Sequence, residues 1–274
     1  MNADHYAVPH LRGGTDNFFH YAAYLGRGYN PFVAESDPNK PDFRVRNLSL
    51  APDVSVGRLE DRKSLLQALD AGKRAGDSRS VELDPHAQRA FSLLTSKETA
   101  TAFDIAAEPA RVRDAYGRHT FGQSALLARR LVEAGVTFVT VNCEPWDHHG
   151  TANRLATEPG AKLLIPPFDR ALAALVRDLI ERGLYERTLV VAMGEFGRTP
   201  QLGTQGSTDG RNHWPYVMSM LLAGGGLRHG QLIGSSDKDG GQIQTRPVSP
   251  GDLASTVFRH FGVPLDSTYT DVGG

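Results

Sequence analysis

The chain has 274 residues, enough for one large α/β domain or two small ones. Hydrophobic residues make up 40% and charged residues 22%, as in a folded globular protein, and a net charge of -1 gives no global field for nucleic acid or anionic lipid. No apolar run reaches the roughly 18 residues that span a bilayer, and the lone Cys143 excludes a disulfide framework.

The opening Met1-Asn2-Ala3-Asp4-His5-Tyr6 has neither the basic nor the apolar region of an export signal, so no signal peptide is expected. Met1 to Asp53 reads as irregular, rich in Pro, Asn, Asp and Tyr, with no convincing strand. Helices are predicted over Leu59–Lys73, over Pro85–Leu94 behind Asp84, and in short pieces at Ser96–Ala106 and Pro109–Tyr116. Gly122–Ala134 reads as a helix with Leu126, Leu127, Leu131 and Val132 on one stripe and Gly135 as its stop. The strand Val136–Asn142 follows. Phe168, Leu172, Leu175 and Leu179 predict a helix over Phe168–Arg182, opened by Pro167 and closed by Gly183. A second strand, Thr188–Ala192, makes this a βαβ unit, so the two strands are expected to be parallel neighbours with the helix across one face. Val217–Ala223 reads as a third strand and Gln231–Gly234 as a short fourth. Pro250–Phe261 reads as a helix ended by Gly262. The whole reads as one domain, with 1–120 irregular and helical and 121–274 forming the sheet.

Two segments after strand ends concentrate the chemistry: Trp146-Asp147-His148-His149-Gly150 and Met193-Gly194-Glu195-Phe196-Gly197-Arg198-Thr199-Pro200. Open α/β sheets bind ligands just beyond the carboxyl ends of their strands. Asp, Glu and His are donors for divalent ions such as Zn²⁺ or Mn²⁺. Alternation along an extended loop sets Asp147 and His149 on one side and His148 on the other. Arg198 and Arg211 are candidates for gripping an anionic substrate. Each residue also has a structural reading: a solvated turn for 147–149, a Glu195–Arg198 loop clamp, and His213 packed under Trp214. Asp237-Lys238-Asp239-Gly240-Gly241 reads as a turn, and Cys143 as a buried thiol.

These motifs, with Ala23-Tyr24-Leu25-Gly26, Pro41-Asp42-Phe43, Leu59-Glu60-Asp61-Arg62, Gly210-Arg211-Asn212-His213-Trp214-Pro215 and Leu222-Ala223-Gly224-Gly225-Gly226, resemble the DUF1501 family of the alkaline phosphatase/sulfatase-like superfamily. The resemblance implies a three-layer α/β sandwich with a mostly parallel central sheet. It also implies a metal-dependent hydrolase of phosphate or sulfate esters, with an anionic ester as substrate. Carried over by position, Asp147, His149, Glu195 and His213 correspond to metal ligands; from their chemistry, Glu195, Arg198 and Arg211 are the candidate catalytic groups. Three departures stand out. Phe196 replaces a paired ligand histidine, Asp147 and His149 stand closer than the usual Asp-x-x-x-His, and the family's N-terminal strand and nucleophile region have no counterpart. The alternative is therefore a non-catalytic binding or scaffold module. A shortage of strands further predicts an exposed strand edge and self-association. The four ligand candidates are expected to converge, which requires either an antiparallel third strand or a long loop over the site, the latter offered by Gly203, Gly206 and Gly210.

Overall fold

The computed structural model describes residues 30–34, 36–45, 96–142, 146–150, 156–203 and 208–268, with a strand at 6–9, several positions between 55 and 65, and residue 270. Every described position from 57 to 65 is helical; the helix predicted at Pro85–Leu94 and Cys143 lie outside the described residues.

Five helices follow the local signals in the chain. α1 (Lys97–Phe103) starts on Ser96, whose hydroxyl accepts from Thr99 N–H at 3.0 Å. α2 (Ala110–Tyr116) leads into α3 (Thr120–Glu133), where His119 Nδ1 caps the first turn by accepting from Gly122 N–H at 3.1 Å. α4 (Thr157–Glu181) and α5 (Pro250–His260) complete the set. Gly135, Gly183 and Gly262, at the ends of α3, α4 and α5, all take positive φ (96°, 66° and 68°). Each ending closes two bonds: at α3, Gly135 N–H reaches Val132 O and Val136 N–H reaches Leu131 O. The same pair recurs after α4 and α5, so all three are Schellman stops that satisfy carbonyls the helix leaves open.

α4 begins ten residues or so earlier than its prolines suggest. Pro166 and Pro167 sit inside it rather than opening it. Proline removes a backbone donor, a loss of helix stability, but Gly160 and Leu164 on the preceding turns are buried and hold that part in place.

The strands depart from expectation. β1 (Tyr6–Pro9) and β2 (Phe32–Ala34), both in the stretch read as strandless, join β3 (Phe138–Val139) in a parallel sheet of order β2-β1-β3. β4 (Leu189–Ala192) pairs antiparallel with β7 (Leu221–Gly224), in a sheet separate from β3. The predicted parallel pairing of 136–142 with 188–192 is therefore not formed, and the described residues show no mostly parallel central sheet. Beyond β4 the same two chain segments pair again, as β5 (Gly197–Arg198) with β6 (His213–Trp214). Continuing the β4–β7 register would set Gly197 opposite Tyr216; it faces Trp214 instead, two residues away. The two pairs are thus one long β arm with an offset in the middle. Periodicity identified β4 and β7 as apolar strands, but their antiparallel closure depends on this arm and not on the helix between β3 and β4. β8 (Ser235–Ser236) and β9 (Ile243–Thr245) form a small hairpin around the Asp237–Gly241 turn; residues 231–234, read as a strand, form none.

Leu126, Leu127 and Leu131 of α3 pack on Tyr116 of α2 and on Ala171 and Ala174 of α4. Ala171 and Ala174 are covered there because small side chains let α3 and α4 approach, and Leu179 of the predicted stripe is also buried. Among the described residues, no helix is long and apolar enough to cross a membrane.

A charged cluster ties the same helices together. Arg129, with a side chain of 0% exposure, meets Glu108 at 2.9 Å, Glu133 at 2.7 Å and Asp178 at 2.8 Å. The Nε and Nη2 contacts are ion pairs without hydrogen-bond alignment; Nη1 does donate to Glu133. Arg182 joins Asp178 and Glu133 at 2.7 and 2.8 Å, Arg130 pairs with Glu108, and Tyr116 donates to Asp178 at 2.9 Å. Burial pushes the Tyr116 phenol up, and the Asp178 carboxylate adds to the rise. Burial pushes Glu133 up too, but hydrogen bonds from Arg129 and Arg182 outweigh it and hold the carboxyl below its ordinary value. Its contribution to stability is complete above that ordinary value, 4.5, and is lost as pH falls through the lowered one.

Arg129→Met keeps most of the volume but leaves Glu108 and Asp178 without their buried partner. Urea unfolding at pH 7 should show a loss of about 3–5 kcal/mol. A loss under about 1 kcal/mol would mean the cluster does not hold the helices.

Candidate metal centre

The site forms where the β arm meets the segment 146–150. The chain from 210 to 212 runs directly against that segment: Arg211 N–H donates to His148 O at 2.8 Å. A Cβ on Gly210 would stand 2.0 Å from the carbonyl carbon and oxygen of His149, so only glycine permits this approach. Asn212 is held from the other side, its N–H donating to Thr199 Oγ1 at 3.1 Å and its carbonyl accepting from Thr199 N–H at 2.9 Å.

Within this frame Asp147, His149 and His213 place one ligand atom each within 4.8 Å of one another. His149 is central. Its Nδ1 lies 2.7 Å from Asn212 Oδ1, and the tautomer that donates from Nδ1 leaves Nε2 able to accept or to ligate. That Nε2 stands 2.8 Å from Asp147 Oδ1 and 3.0 Å from His213 Nε2. A divalent ion would be met by donor atoms gathered at this spacing, although Arg198 already brings positive charge beside them. Donors about 2.0–2.2 Å from a tetrahedral ion stand roughly 3.3–3.6 Å apart, close to the separations found.

Arg198 supplies positive charge at the rim. Cross-strand pairing sets it directly opposite His213. Its guanidinium donates to Trp146 O at 2.9 Å, to Asp147 Oδ1 at 3.4 Å and to Arg211 O at 3.3 Å, and lies 3.3 Å from His149 Nε2. Arg198 therefore clamps the two segments together, with Asp147 and not Glu195 as its carboxylate partner. Phe196, two residues before Arg198, faces the same way: its ring lies 4.1 Å from His213 and 5.9 Å from the Arg198 carbon.

Glu195 is exposed on the bend before β5 and does not join the group of three. His148 is buried beside Trp146, with its Nε2 lacking a partner. Burial first, and then the positive charge of Arg198, hold its pKa below the ordinary histidine value. Arg211 keeps a buried Nε without an acceptor among the described residues. His213 reaches the site because β7 runs antiparallel to β4, which returns the chain to the same end of the arm, and not through a loop folded back along a parallel sheet. Sequence reasoning missed Asn212 and Thr199. Asn212 stands next to His213, and a short amide beside a ligand candidate was the available signal.

The fold and site thus define a mixed α/β protein with a three-donor cluster at the junction of a β arm and a loop. A family model described as "Protein of unknown function (DUF1501)" matches residues 4–274, and the chain belongs to that family. No curated protein and no solved structure matches it.

Gly210→Ala should force the 210–212 strand away from 148–150. The expected loss is about 1–3 kcal/mol in thermal or urea unfolding, accompanied by shifted His149 and His213 ring resonances in NMR spectra. Unmoved resonances would show that the close approach does not set the site.

Proposed function

We propose that the chain is a metal-dependent, hydrolase-like domain for phosphate or sulfate esters, with an alkaline phosphatase-like α/β architecture. The observation that carries this reading is the convergence of Asp147, His149 and His213. Their chemistry fits a divalent ion: one carboxylate and two imidazoles suit Zn²⁺ or Mn²⁺, and three protein donors leave a position open for water or substrate. Such an ion, when bound, polarises an ester oxygen and lowers the pKa of a water or hydroxyl nucleophile.

The chain's own residues do the remaining work in this reading. Asp147, His149 and His213 hold the ion. Asn212 keeps His149 Nε2 directed at it by accepting the Nδ1 proton. Arg198 fixes the Trp146 carbonyl and the Asp147 carboxylate and balances the acidic charge. Arg211, the second guanidinium beside the cluster, is the group offered to an anionic ester oxygen. Glu195 serves as the proton-transfer group and not as a ligand. The outer edges of β4 and β7 carry no further strand among the described residues, which supports self-association as part of the same reading.

One observation favours the second reading, a non-catalytic binding or scaffold module. Phe196 packs against His213 at the position where the superfamily resemblance implies a paired histidine ligand.

Metal analysis after dialysis against Zn²⁺ or Mn²⁺ tests the two. About one equivalent of ion is expected, lost in His213→Ala and in Asp147→Ala while circular dichroism is unchanged. Hydrolysis of p-nitrophenyl phosphate or sulfate by the loaded protein would support the enzyme. Metal without hydrolysis would favour the scaffold, and absence of metal would end the metal-site reading.

A further inference from the structure

A cleft of mixed polar and apolar lining lies at the other end of the β arm. β4 and β7 are antiparallel, so Leu189 and Gly224 mark the end remote from β5 and β6. There the turn Gly224-Gly225-Gly226 and α5 enclose a cleft of about 390 Å³, within the size range of small-molecule sites.

We propose that this cleft binds a small organic oxyanion, a phosphate or carboxylate headgroup on a short apolar body. Three successive glycines with φ of 74°, 63° and 70° shape it. Side chains rarely adopt this conformation, and a Cβ on Gly225 would press to 3.0 Å on Leu189 Cβ and 3.1 Å on His260 Nδ1. The turn spends Gly225 N–H on Tyr185 O and Leu227 N–H on Gly224 O. Gly226 N–H is left without an acceptor among the described residues, and its residue lines the cleft.

Facing that amide, one side of α5 presents Ser255, Arg259 and His260. No ion pair or hydrogen bond engages the Arg259 guanidinium among the described residues. The simpler account of these two basic residues is that they offset the negative end of the α5 dipole. That end carries only about half a charge and Arg259 carries a full one, so positive charge remains for an anion. The guanidinium, the hydroxyl and a free amide form the donor set that grips an oxyanion, and Leu227 and Leu265 supply apolar wall for a short organic body. None of these groups belongs to the Asp147–His149–His213 cluster, so the site stands whatever the fate of the metal reading.

Full-length protein is titrated with phenyl phosphate and with benzoate in the presence of EDTA, by calorimetry and by NMR mapping of backbone amides. At least one probe should bind, with the largest shifts at Gly226, Ser255 and Arg259. Arg259→Gln should weaken that binding by about tenfold or more, and Ser255→Ala less. Phosphate preferred over benzoate would mark a phosphorylated ligand, and the reverse a carboxylated one. Failure of both probes to bind, shifts confined to residues around His149, or undiminished affinity in Arg259→Gln would overturn the proposal.

Discussion

A buried guanidinium organises the helical half of this protein. Arg129 has no contact with water, so its charge is tolerable only because Glu108, Glu133 and Asp178 surround it. Those three carboxylates come from the approach to α2, from α3 and from α4. One residue therefore sets how these segments lie against each other, and the Ala171 and Ala174 contacts fill the space that arrangement leaves. The effect reaches the Asp147–His149–His213 cluster through α4. Its first residue donates to Asp209 O at 2.9 Å, and Phe168 meets Trp146 edge-on at 5.7 Å, so the helix braces both segments that carry the donors.

The centre itself is assembled by backbone before side chains act. A glycine with no room for a Cβ, a cross-strand pair and an amide–imidazole bond bring the residues together. Arg198 is almost wholly occupied by carbonyls and by Asp147, which gives it a positioning task instead of the substrate grip suggested by its chemistry. The close approach of Asp147 and His213 to His149 Nε2 is what separates this cluster from an ordinary polar turn.

What could be read from the sequence was mostly local. Gly135, Gly183 and Gly262 mark helix ends because a left-handed residue is required there, and only neighbouring carbonyls decide the outcome. Pro166 and Pro167 misled for the complementary reason: a proline is a boundary only where packing does not hold the helix through it, and Leu164 is buried. Strand pairing was the weakest part. The apolar runs 189–192 and 221–224 look alike whether their neighbours are parallel or antiparallel, and β1 and β2 are too short to show a period. At the site, residue types pointed to Asp147, His149 and His213, but nothing in the spacing distinguished Glu195 from Phe196. The one-residue alternation of an extended chain decides that, and it turns the phenyl ring, not the carboxylate, toward His213.

The β arm also has a consequence for the order of folding. Its two sides are joined through 199–212 and can zip from a short loop, a fast and local event. The donors on 147 and 149 come from a segment on the far side of the 25-residue α4, and the bond from His149 to Asn212 spans 63 positions. Closing such a separation carries an entropy cost that the arm alone does not meet. The arm is thus a template to which the loop with Asp147 and His149 is joined only by contacts distant in the chain, and α4, held at its Arg129 end, shortens the span that they must close.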